Sequence, residues 1–151
     1  MLFKQASAGD ERVFVTVKNV DASSITTGNT AFYAVGTGVS FDGIQVINGI
    51  STAVAPWAWV GIAVKDIAVN AFGLVQTYGN CLSVLLSNLG TSITIGVGNP
   101  LIPSSVSGAV ASLAPTFANS GFNYIIASNT PANTLSQAAP LYCSGFIRCL
   151  K

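Results

Sequence analysis

The sequence predicts an all-β fold: a compact β-barrel or sandwich of about ten short strands with an extended N-terminal arm. Three observations carry this expectation. Val and Ile together supply 28 of the 151 residues, and their β-branching suits a pleated surface. Ser, Thr and Asn supply another 39, favouring turns and strand faces, where their side chains reach nearby backbone groups. Helix formers are scarce, with one Glu, four Gln, four Lys and one Met.

The strands follow in order between turn signals. Residues 1–11 read as the arm, opening on apolar Leu2 and Phe3 and carrying Lys4, Asp10 and Glu11, with Arg12 at its junction. Residues 12–151 read as a single β domain. Arg12 to Val20 alternates, with Val13, Val15 and Val17 on one face and Phe14, Thr16 and Lys18 on the other. A Ser/Thr/Gly turn leads to a strand at Thr30 to Val35. Gly36-Thr37-Gly38 and Asp42-Gly43 bracket the next turn, ahead of Gly43 to Ile47. Pro56 opens a strand at Trp57 to Val64. Further strands are expected at Phe72 to Tyr78, Leu82 to Ser87, Ser92 to Val97, Val106 to Leu113, Phe122 to Ala127 and Leu141 to Leu150. Ser24-Ile25-Thr26-Thr27-Gly28-Asn29 is echoed by Ser92-Ile93-Thr94-Ile95-Gly96, which reads as one turn solution used twice.

Charge is sparse and uneven. Eleven residues are charged, the net is +1 and mean hydropathy is +0.60. Six charges fall in the first 21 residues, and none lies between Ile67 and Ile147. Spread over the roughly 7,200 Å² such a chain exposes, this is about one charge per ~650 Å². A surface so weakly charged calls for cover by other protein. Lipid is not expected, because the longest charge-poor stretch, Gly43 to Val64, is broken by Gln45, Asn48, Ser51, Thr52 and Pro56. Nucleic acid is not expected either, as the six basic residues form no cluster. The N-terminus lacks the pattern of a secretory signal, and Cys81, Cys143 and Cys149 are odd in number. Buried free thiols and synthesis in a reducing cytoplasm are the expectation.

The chemistry points away from catalysis. With no histidine, the usual general base, the Ser-His-Asp and Cys-His arrangements and the commonest transition-metal ligand are missing. Neighbouring Asp10 and Glu11 point to opposite faces of an extended chain. Asp21, Asp42 and Asp66 sit beside turns, where aspartate bonds its own backbone. Gly36-Thr37-Gly38 and Gly96-Val97-Gly98 read as turns rather than phosphate cradles. No enzyme, cofactor or metal is expected. Trp57 and Trp59 share a strand face, and two uses stay open for them: core packing, or aromatic anchors of an oligomer interface.

Val17-Lys18-Asn19-Val20 followed by Ile25-Thr26-Thr27-Gly28-Asn29-Thr30 resembles the opening of small head proteins of tailed bacteriophages. Gly61-Ile62-Ala63, Ile67-Ala68 and Gly73-Leu74-Val75-Gln76-Thr77-Tyr78-Gly79 resemble their middle segment. Phe146-Ile147-Arg148-Cys149-Leu150 is similar to their terminal strand. These are capsid decoration, or cement, proteins, and the resemblance spans residues 12 to 150. It departs at Val69-Asn70-Ala71, where such proteins carry a glycine-acid turn. The resemblance implies a non-enzymatic module on the outer surface of the virion, bound to the major capsid protein. It also implies self-association into a homo-oligomer without fixing trimer over dimer; of the two, a trimer is the expectation. Leu2, Phe3, Lys4, Asp10, Glu11 and Arg12 are the expected capsid-binding residues, and Trp57 and Trp59 the oligomer-interface candidates. Two alternatives are a low-copy tail, neck or fibre-base protein, and a glycan-binding module stacking sugars on Trp57, Tyr78 or Tyr124.

Overall fold

The computed structural model describes residues 2–7, 10–34, 43–48, 58–86, 95–103, 110–112, 124–129 and 141–149. These form ten strands: β1 (Leu2–Ser7), β2 (Asp10–Asn19), β3 (Thr30–Tyr33), β4 (Gln45–Asn48), β5 (Trp59–Ala63), β6 (Phe72–Leu86), β7 (Pro100–Pro103), β8 (Val110–Ser112), β9 (Tyr124–Ala127) and β10 (Leu141–Arg148). The all-β expectation holds. The strands join one hydrogen-bonded sheet, and its pairings close on themselves twice.

The first closed circuit, ring A, runs β2-β4-β3-β5-β6 and back to β2. Ring B runs β6-β8-β7-β9-β10 and back to β6. In each ring one pair is parallel, β2 with β4 and β6 with β8, and the other four are antiparallel. Closure leaves no open ladder within a ring, which protects a chain with so few charges to guard its edges. Both rings share β6, whose 15 residues extend about 50 Å at ~3.3 Å per residue.

The sequence predicts two strands over this stretch, Phe72 to Tyr78 and Leu82 to Ser87. The strand instead runs through Gly79 at φ 94, in the left-handed region open to glycine. A Cβ there would collide with the Glu11 carbonyl oxygen and lie 3.1 Å from Arg12 Cα, both backbone atoms of β2. Gly79 thus lets β2 cross β6 closely where ring A hands over to ring B. A bulge opposite Val13 and Phe14 leaves Thr77 as the extra residue, turning β6 at the same place.

The two rings are copies of one topology. Register places Tyr33 opposite Val46 and Pro103 opposite Val110, so ring B repeats β3 at a spacing of 70 residues. At that spacing Ile25 to Asn29 superposes on Ile95 to Asn99. Gly28 and Gly98 both adopt φ 86. Gly28 N–H donates to Ala63 O at 2.9 Å, Ala63 N–H to Asn29 O at 2.9 Å and Asn29 N–H to Thr26 O at 3.0 Å. Gly98 N–H donates to Ala127 O at 2.8 Å, Ala127 N–H to Asn99 O at 3.0 Å and Asn99 N–H to Gly96 O at 3.1 Å. The echo seen in the sequence is therefore a structural repeat, displaced by two residues from the Ser-Ile-Thr alignment. The strand expected at Ser92 to Val97 is not formed over its described part, Ile95 to Val97, which leads into the Val97-Gly98 turn. β7 follows that turn instead.

Two apolar clusters fill the rings. Val17, Ile25, Ala31, Val46, Val60, Ala63, Ile67 and Val75 pack inside ring A, closed by the Ile25–Ile67 bridge. Phe32, Trp59 and Ile62 leave ring A on its outer face and join Val84, Leu86, Leu101, Ile125, Cys143 and Ile147 in the second cluster. One pair of positions trades volume between the rings. Ring A has Gly61 beside Val75, and ring B has Ile125 beside Gly145, where an added Cβ would sit 2.5 Å from Ile125 Cγ2. Each ring thus accommodates one large and one small residue at that place.

The segment expected as an arm is folded back. Leu2 pairs with Val15, Phe3 with Phe14, Lys4 with Val13 and Ser7 with Asp10, making β1 a hairpin strand on β2. The hairpin occupies the edge of β2 that β4 takes up further along, at Lys18 and Asn19. At Val69-Asn70-Ala71, where the resembled family has a glycine, Asn70 supplies the left-handed residue at φ 60. Its N–H donates to Asn19 O at 2.9 Å, which ties the turn to β2.

Candidate interaction surfaces

Among the described residues, most apolar side chains left in solvent gather on two outward faces, with Ile44, Val69 and Leu82 exposed elsewhere. On ring A, Phe72 and Leu74 project from β6, Phe72 being 65% exposed. They face Lys18 and Thr16 across the β2 ladder, and Val64 N–H donates to Leu74 O at 3.1 Å, which brings Val64 alongside. Inward-pointing Val75 and Gly73 alternate with them, and Gly73 lies so close to Ile67 that an added Cβ would meet Cγ1 at 2.5 Å. The β6 segment is therefore apolar on both faces, the pattern of a strand covered on both sides.

On ring B, Ile126 and Phe146 are direct cross-strand partners. The Phe146 ring packs edge-on against Tyr78, with centroids 5.1 Å apart and planes at 80°. Tyr142 lies further along the same face of β10, and Val97, 68% exposed, stands at the neighbouring turn. Exposed apolar groups in such groupings mark interaction sites more than scattered ones do. Of these residues, sequence reading singled out Tyr78 alone, as a sugar-stacking candidate. The usable signal was the unbroken apolar run Phe72-Gly73-Leu74-Val75, which leaves no polar face to a strand.

The expected site residues are placed as follows. Glu11 is exposed and Arg12 half-buried at the start of β2. Leu2, Phe3, Lys4 and Asp10 take strand positions in the β1–β2 hairpin. The six therefore share one hairpin. Trp59 is buried within its own chain, and its indole N–H donates to Gly61 O at 2.9 Å. Of the two uses left open for it, core packing is the one observed, which leaves no indole surface to offer a second copy. Trp57 lies outside the described residues. Tyr78 is half-buried beneath Phe146, and Tyr124 opens β9.

The carboxylates act as braces between distant segments. Asp66 Oδ1 accepts from Thr27 N–H at 2.7 Å and from Thr27 Oγ1 at 2.8 Å, which holds its carboxyl below the ordinary aspartate value. Asp21 Oδ2 accepts from Asn48 N–H at 2.8 Å, and Oδ1 from Ala22 N–H at 2.7 Å. Local bonding to a turn is thus half of the use made of Asp21, and Asp66 reaches across 39 residues. Asp42 lies outside the described residues. Cys81, Cys143 and Cys149 are free and buried, as expected. Burial raises all three thiols, Cys143 to about 11, which leaves them protonated near neutrality and inert as nucleophiles.

No protein-family model matches the sequence, and no curated protein matches it. Among solved structures, the head fiber gp8.5 N base of bacteriophage phi29 is similar, with a TM-score of 0.50. The likeness covers 93% of this chain and 97% of that one, at 18% sequence identity. At that identity, what the two share is a fold.

Proposed function

We propose that this chain is a non-catalytic structural protein of a bacteriophage virion, decorating the outside of the head and cementing neighbouring major capsid subunits. The observation that carries the reading is a fold similar, along nearly its whole length, to the base of a phage head fiber. The composition supports it. A footprint built from Ser, Thr, Asn and apolar groups makes hydrogen bonds while avoiding much of the desolvation cost of buried ions. A cement protein acts by binding the assembled lattice better than separate subunits, so each bound copy stabilises the shell by mass action. The partners are the major capsid protein, approached through the β1–β2 hairpin with Glu11 and Arg12, and further copies of the chain.

A second reading has a specific observation in its favour: the structural neighbour is itself a fiber base. In that case the chain seats an appendage on the head and is present in few copies. The glycan-binding alternative is weakened by Tyr78, whose ring is half-buried and partly covered by Phe146.

Copy number separates the readings. Quantitative mass spectrometry of purified particles, ratioed to the major capsid protein, should return a value comparable to that protein for cement. A count many-fold lower would favour a fiber base. Absence from the particles would refute a virion role altogether.

A further inference from the structure

The internal repeat makes one contact twice over in design and once in fact. Within the chain, ring A rests its Thr27-Gly28 turn on ring B. The Gly28 Cα approaches so closely that an added Cβ would lie 2.9 Å from Tyr142 Cε1 and 3.3 Å from Ser83 O. Ile62 and Gln76, on the same side of ring A, are 0% and 4% exposed. Among the described residues, the equivalent parts of ring B have no such cover. An added Cβ at Gly98 would meet nothing within 4 Å, although its φ and hydrogen bonds repeat those of Gly28. Ile126 and Phe146, which repeat Ile62 and Gln76 in the register, are each 37% exposed.

The receiving side is duplicated too. Tyr142 pairs with Leu85 in ring B as Phe72 pairs with Lys18 in ring A. Phe72 is thus the counterpart of Tyr142, and it is 65% exposed, with no described glycine turn resting on it as Gly28 rests on Tyr142. The molecule therefore ends in a donor face without a receiver and a receiver face without a donor.

We propose that the Val97-Gly98 turn, with Ile126 and Phe146, docks on Phe72 and Leu74 of a second copy, repeating between chains the contact that joins the rings within one. The contact between copies is chiefly apolar. Leu85 N–H donates to Gly28 O at 3.0 Å inside the chain, whereas its counterpart Lys18 N–H is already given to Ile44 O at 2.9 Å. Because the two faces differ, the association is head to tail, closing into a ring of copies or extending as a file.

Paired cysteines test this on the full chain. Val97→Cys and Phe72→Cys are purified separately, then mixed under mild oxidation, the three native thiols being buried. The expected result is a disulfide-linked pair in the mixture and little in either variant alone. Self-linking of either variant to the same extent, or no linkage in the mixture with both variants folded by circular dichroism, overturns the proposal. Sedimentation of the unaltered chain is an independent check. Association should weaken at least about tenfold in Phe72→Ser, and a chain that remains monomeric at about 0.1 mM overturns the proposal as well.

Discussion

Gly28 and Gly98 form a natural matched pair, since the repeat gives them the same φ of 86 and the same hydrogen bonds but different neighbours. Replacing each by alanine therefore separates backbone cost from packing cost. At Gly98 only the backbone responds: a left-handed alanine costs about 1–2 kcal/mol. Restriction of the unfolded chain returns about 0.4–1 kcal/mol. The net loss is about 1 kcal/mol, or ~2–4 °C in Tm for a domain of this size. At Gly28 the new methyl also meets Tyr142 Cε1 at 2.9 Å and the Ser83 carbonyl at 3.3 Å. Overpacking of that kind adds about 1–3 kcal/mol, for a total of about 2–4 kcal/mol. Urea denaturation of dilute protein, fitted with a common slope, reads both values. Trimming Tyr142 to alanine should recover part of the Gly28→Ala loss, because the ring is the nearest obstacle, and leave Gly98→Ala unchanged. Equal losses at the two glycines, or a larger one at Gly98, would refute the inference that only one turn is docked.

Four other outcomes are expected. Trp59→Ala should cost about 3–5 kcal/mol by the same denaturation, as expected for a deleted core aromatic, and Trp59→Phe about 1–2 kcal/mol through loss of the indole bond to Gly61. Gly145→Ala should destabilise by about 1–3 kcal/mol through Ile125, and its combination with Ile125→Ala should cost less than the two separate losses added together. The raised thiols hold stability that is fully present below their unfolded value of 9.0 and falls as pH rises toward about 11, where Cys143 ionises in the folded chain. Thermal melts from pH 8 to 11 should show that decline, and a Cys143→Ala variant should flatten it. For Asp66 the sign is opposite: its lowered folded value makes its contribution complete above 3.8, with loss as pH falls through the folded value. Carboxyl NMR titration should place Asp66 below 3.8, and Thr27→Val should move it upward.

Much of the fold was legible because strand-forming residues and turn punctuation agree along most of the chain. Arg12 to Val20 and Leu141 to Leu150 were readable in this way, and both correspond to observed strands within two residues at each end. The misreadings have local causes. The break expected between Tyr78 and Leu82 is absent because Gly79, which beside asparagine would normally turn the chain, here admits a crossing backbone. Pro100 and Pro103 concealed β7, since proline cannot donate to a ladder, yet both lie at the ends of a four-residue strand. The arm could not be told from a strand at the level of composition, because its pairing depends on the register that β2 offers. The interaction faces were hidden for a related reason. Phe72 and Val75 are indistinguishable by hydropathy, and only the ring closure decides which of them points inward. The sequence echo sets Ser24-Ile25-Thr26 against Ser92-Ile93-Thr94, two residues out of step with the structural repeat, whose true spacing rests on hydrogen bonds that no single sequence displays.

The shared strand β6 also determines how the molecule bears force. Its first half, Phe72 to Tyr78, is hydrogen-bonded to β2, and its second half, Tyr78 to Leu86, to β10. A pull on β2 against β10 therefore travels along the axis of one continuous strand and loads both ladders in shear. Many hydrogen bonds share the tension, and none can be peeled away singly. There is no linker between the rings to yield first, so neither ring can be drawn off without opening the other. A load applied across the molecule would meet a coupling that resists as one piece.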